Sequence, residues 1–91
     1  MFLIPNWILF SIPYRRRMSI EVEIFGQLLP LTERRQYLGI KHPVLVEEVA
    51  NLLGLNSEEV GLITIDGVQS EMEDLVEPGC RLCFFPYMTG G

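Results

Sequence analysis

The stretch Ser19-Ile20-Glu21-Val22-Glu23-Ile24-Phe25 carries a strict two-residue alternation and is rich in β-branched residues. It puts Ile20, Val22 and Ile24 on one face of a strand and Glu21 and Glu23 on the other. Such a strand must bury one face and leave the other to polar company. Cys80 to Phe85 reads as a second apolar strand at the far end of the chain. There Leu82 and Phe84 face one way, Cys83 and Phe85 the other. Both strands are apolar enough to lie in the middle of one mixed sheet, and everything between them has to fit around that arrangement.

Between them the pattern changes period. Gly26 and Pro30 mark a turn or loop, and Arg35 to Lys41 reads as a weaker strand that closes an opening antiparallel hairpin. From Pro43 to Leu53 the spacing predicts a helix. Proline suits a first helical position, and Glu47 and Glu48 sit near the positive end of the helix dipole. Leu45, Val46, Val49, Leu52 and Leu53 recur at three- and four-residue spacing as a core-facing stripe, and Gly54 is a natural stop. Ser57 to Val60 suggests a short helical turn. Leu62 to Ile65 reads as a strand ending in the tight-turn pair Asp66-Gly67. Residues 68–77 are acidic and carry little pattern, and Pro78-Gly79 marks another turn. The order is strand, strand, helix, strand, a short irregular or strand segment, strand. That order implies an α+β fold of the β-grasp, or ubiquitin-like, type: a mixed sheet of four to five strands with one main helix across one face.

The organisation expected along the chain is an apolar leader over 1–17, disordered or dispensable, a β-grasp domain over 18–85, and a flexible tail over 86–91. The leader begins Met-Phe-Leu-Ile-Pro and ends in Arg15, Arg16 and Arg17. It is too short for a bilayer span, and Pro5 and Pro13 interrupt a helix. An interfacial anchor with arginines at lipid headgroups is the alternative; stable membrane insertion is not expected.

At 91 residues the chain suggests one domain, with little room for an enclosed active site built from several loops. All twelve acids and only four of the seven basic residues lie in 18–91. An acidic body argues against nucleic acid, whose phosphates call for Lys and Arg. It suits a partner with a basic surface, or solubility alone. Cys80 and Cys83 have the spacing of a redox or metal pair. On a strand, however, residues three apart point to opposite faces with Cα atoms roughly 10 Å apart, too far for a disulfide. His42 is the only histidine, so a zinc site lacks its second ligand pair and no metal is expected. Two free thiols fit a reducing, cytoplasmic setting. With no nucleophile–base pair, metal cluster or phosphate loop in the pattern, an enzyme in its own right is not expected.

The ending Phe84-Phe85-Pro86-Tyr87-Met88-Thr89-Gly90-Gly91, after Asp66-Gly67 and Pro78-Gly79, resembles the sulfur-carrier proteins. These include the small subunit of molybdopterin synthase and the thiazole-synthesis sulfur carrier. The Phe-Phe-Pro run is closer to the molybdopterin branch. Cys80 stands where aspartate is usual in that family, Tyr87 where a second proline is common, and Thr89 replaces serine. The resemblance implies a carrier that binds no cofactor and works as the co-substrate of partner enzymes. An ubiquitin-activating-like adenylyltransferase would use ATP to adenylate the carboxylate of Gly91. A sulfur donor would turn it into a thiocarboxylate, and a large subunit or synthase would accept the sulfur. By the same resemblance Gly90, Thr89 and Met88 would line the partner's channel, and Phe85, Cys83 and Tyr87 would supply an apolar docking patch. The alternatives are a protein modifier joined through Gly91 to a lysine amine, a carrier for thiamine thiazole or another sulfur pathway, and a plain interaction module.

Overall fold

The computed structural model describes residues 8–9, 18–26 and 34–87. Eight strands and one helix occur there: β1 Ile8–Leu9, β2 Ser19–Ile24, β3 Arg35–Ile40, β4 Val44–Leu45, α1 Val46–Leu53, β5 Val60–Ile65, β6 Val68–Ser70, β7 Leu75–Val76 and β8 Arg81–Pro86. A 3₁₀ turn over Ser57–Glu59 leads into β5, capped by the Asn56 side chain, which accepts from the Glu58 N–H. The main sheet has the order β1-β3-β2-β8-β5-β6, and β4 pairs with β7 in a small second sheet. The parallel pair β2 and β8 lies at the centre, with Glu21 opposite Arg81 and Ile24 opposite Phe84. The other pairings in this sheet are antiparallel. This is the expected β-grasp sheet, widened by the two residues of β1 along the β3 edge.

The alternation in β2 has the consequence its sequence demands. Ile20, Val22 and Ile24 are buried and meet Leu82 and Phe84 of β8, Ile63 of β5 and Ile40 of β3. Helix α1 covers this face with Val46, Val49 and Ala50. Nine of these core side chains are Ile, Val, Leu or Phe; burying each contributes about 1.5–3 kcal/mol.

The helix is shorter than its periodicity predicts. Pro43 is not its first residue; Val44 and Leu45 are extended and pair with Val76 and Leu75. The physical reason lies in the loop before β7. The carbonyls of Asp74 and Met72 accept the N–H groups of Val46 (2.9 Å) and Glu47 (3.0 Å), donors that the carbonyls of a preceding helical turn would otherwise take. Glu48 reaches back to accept from the Leu45 N–H at 3.1 Å, half of a capping box. The buried stripe is accordingly Val46, Val49 and Ala50, and Leu52 is exposed. Gly54 ends the helix in the left-handed region, at φ 78°. The Asp66-Gly67 turn also forms as its sequence suggests. Both residues have positive φ, the geometry of a two-residue hairpin loop. Residues 68–77, with little pattern of their own, supply both β6 and β7. Among the described residues no helix is long and apolar enough to cross a membrane.

Candidate functional site

The candidate site is the place where β8 leaves the sheet. Pro86 closes β8 opposite Val60, and Leu62 lies opposite Phe85, so Gly61 is an extra residue bulged between two ladder positions. That bulge lets the chain cross closely: a Cβ on Gly61 would stand 2.8 Å from the Tyr87 nitrogen and 2.7 Å from its Cα. On the other flank Gly26, at φ 72°, faces the ring of Pro86, and a Cβ there would reach within 3.0 Å of Cδ. Two glycines thus bracket the root of the tail. The Arg34 guanidinium donates to the Gly26 carbonyl and pins that flank. Beyond the bracket Tyr87 is 61% exposed and borders a cleft of about 240 Å³ lined by Ser57, Gly61, Leu62, Gln69 and Met72.

Beside the root lies the open face of the sheet. Phe85 is half-buried and stacks on Phe25, with centroids 4.5 Å apart and planes 6° off parallel. The contact follows from the central pairing, because the Phe25 N–H donates to the Phe84 carbonyl at 2.9 Å and so extends β2 beside β8. Leu62 adds exposed apolar surface across the strand. Further along the same face a charged lattice takes over. Arg35 pairs with Glu21 at 3.3 Å and with Glu23 at 3.5 Å, and Arg81 pairs with the same two carboxylates. The hydrogen bond from Arg81 holds the Glu23 carboxyl below its ordinary range.

Of the residues singled out from the sequence, Phe85 and Tyr87 flank the tail root together. Cys83 points to the same face but lies beneath its surface, 4% exposed, between Glu23 and Thr64 on the neighbouring strands. Met88, Thr89, Gly90 and Gly91 fall outside the described residues. Phe25, Gly26, Gly61 and Leu62 were not anticipated. A glycine inside a strand pattern, as at Gly61, marks a bulge or a close backbone approach, and that was the available signal. Both cysteines are free, and burial chiefly pushes the Cys80 thiol up. Among the described residues no group of three or more His, Cys, Asp or Glu is placed to hold a metal ion.

No family model matches the chain, and no curated protein does. Among solved structures it is similar to SAMP1 from Haloferax volcanii, at 20% identity and TM-score 0.63, over 80% of this chain and 99% of that one. It is also similar to the Haloferax volcanii HVO 2177 protein, at 17% identity and TM-score 0.61, over 81% of this chain and 87% of that one. With the central parallel pair and the single helix across one face, these likenesses give the chain a β-grasp, ubiquitin-like fold.

Proposed function

We propose that the chain is a carrier whose Gly91 carboxylate is activated and loaded with sulfur for delivery in molybdopterin biosynthesis. The observation that carries the reading is the tail root. The strand at the centre of the sheet ends in a residue bracketed by two glycines and then in an exposed tyrosine, four positions short of Gly91. A rigid body that holds the base of a short Gly-Gly tail suits insertion into a partner's narrow channel, since glycine lets other chains close around it. The chain takes the part of co-substrate rather than enzyme. In the first step a carboxylate oxygen of Gly91 attacks the α-phosphorus of ATP held by an adenylyltransferase, and pyrophosphate leaves. A sulfide equivalent from the donor then attacks the acyl carbon, AMP leaves, and a thiocarboxylate remains. Its sulfur is a softer, less hydrated nucleophile than oxygen and passes to a precursor held by a synthase subunit. Phe85, Leu62 and Tyr87 provide the apolar contact beside the tail. All of this chemistry belongs to the cytoplasm.

The test is intact-mass measurement after incubation with an adenylyltransferase, ATP and a sulfur donor. We expect one sulfur to replace one oxygen at the terminus, and the change to vanish when Gly91 is deleted or one residue is added after it. An unchanged mass with partners that load another carrier would overturn the reading, as would loading of the extended chain. If the activated carboxylate instead accepts a lysine amine, conjugates of higher mass would form in extract, and the modifier alternative would replace sulfur delivery.

A further inference from the structure

The edge of β3 is a second functional feature, independent of the tail. The Ile24 N–H donates to the Arg34 carbonyl at 2.6 Å. In an antiparallel ladder this fixes the parity: even-numbered β3 residues turn their backbone groups to β2, and Arg35, Tyr37 and Gly39 turn theirs to the outer side. On that side Leu9 stands opposite Gly39 and Ile8 opposite Ile40. Of the three outward residues, then, the described pairing engages only Gly39. We propose that this edge is a strand-addition site for an extended apolar segment of a partner protein, and that Ile8–Leu9 is the occupant the chain carries for itself.

Three observations support an exchangeable occupant. First, the resident strand is two residues long, so among the described residues one hydrogen-bonded pair, Leu9 with Gly39, holds it. Second, Leu9 lies level with Ser19, because both stand opposite Gly39. Two strand spacings, roughly 10 Å, separate them. Nine residues connect them, several times the length needed, so the geometry does not force the strand to stay. Third, the edge has its own chemistry. The position opposite Ile40 falls on the helix-side face, where an apolar residue continues the core. Arg34 and Lys41, two of the four basic residues in 18–91, lie at its two ends and are exposed, while Arg35 is already paired with Glu21 and Glu23. The leader has no acid in residues 1–17 to meet them. The preferred partner is therefore an extended apolar strand with acidic flanks, running antiparallel to β3 and joined through main-chain hydrogen bonds.

The experiment uses the full chain and a Leu9→Pro variant, in which the donor to the edge is removed. Amide exchange and chemical shifts are followed by NMR, with a synthetic peptide of residues 6–12 carrying two glutamates at each end as probe. In the unmodified chain the Gly39 amide should be protected. In Leu9→Pro its exchange should rise about three- to tenfold, the worth of one net hydrogen bond. The peptide should shift Gly39 and Ile40 in both proteins, and bind the variant more tightly because no tethered strand competes. A peptide with lysine flanks should bind about two- to fivefold more weakly, the contribution of an exposed ion pair. An unprotected Gly39 amide in the unmodified chain would overturn the proposal. So would peptide shifts confined to residues away from β3. A dimer in which one copy's leader covers the other's edge would replace it with self-exchange.

Discussion

Two glycines with opposite physics show what single residues contribute. Gly61 has room for no Cβ because the backbone of Tyr87 lies against it, whereas Gly54 has nothing within 4 Å and is held only by its φ of 78°. Gly61→Ala must therefore push the tail root aside. We expect thiocarboxylate formation to slow roughly ten- to a hundredfold, the usual consequence of misplacing a reacting end by about 1 Å. Rates should be compared with circular dichroism, which should show the fold retained; an unchanged rate would remove the glycine bracket from the mechanism. Glu23 makes a different kind of prediction. Its hydrogen bond from Arg81 places the folded pKa below the ordinary 4.5. The stabilisation is then complete above that ordinary value and is lost as pH falls through the lower folded one. The gap in urea midpoint between the parent and Glu23→Gln should be constant near neutrality and close below about pH 4.5, the model-compound range. A gap that widened on acidification would contradict the assignment.

At the scale of elements, the four long strands were legible, and the short strands β1, β4, β6 and β7 and the helix start were not. β2, β3, β5 and β8 announce themselves because alternation and β-branched residues dictate one buried face, and the turns at Asp66-Gly67 and Pro78-Gly79 because positive φ selects glycine. The start of α1 was hidden, since Pro43 and the run Leu45-Val46-Val49 fit a longer helix equally well. What decides it is a distant loop: the Asp74 and Met72 carbonyls take the first helical donors and leave Val44–Leu45 to β7. No local pattern encodes that contact. The helix end is local, and so is its prediction. Gly54→Ala should cost about 1–2 kcal/mol, the penalty for a left-handed L-residue, with no packing loss to add. A thermal or urea melt measures it, and a neutral result would mean that the helix end relaxes at no cost.

At the scale of the whole molecule, one face of the sheet is closed by α1 and the other is divided. Phe25, Phe85 and Leu62 form an apolar end beside the tail root, and the lattice of Arg35, Arg81, Glu21 and Glu23 forms a charged end. The sequence told which residues alternate to that face; it did not tell that Cys83 would sink beneath it or that Phe25 would join it. Both depend on β2 and β8 becoming neighbours, although Glu21 and Arg81 are far apart along the chain.

The same neighbourhood has a mechanical side. Because β2 and β8 run parallel, Ser19 and Tyr87 emerge from opposite ends of the central pair. A pull on the tail against a body held at Ser19 loads the ladder bonds in shear, all at once, rather than peeling them one by one. A partner that grips the tail and tugs would thus drag the domain whole and would not unravel it.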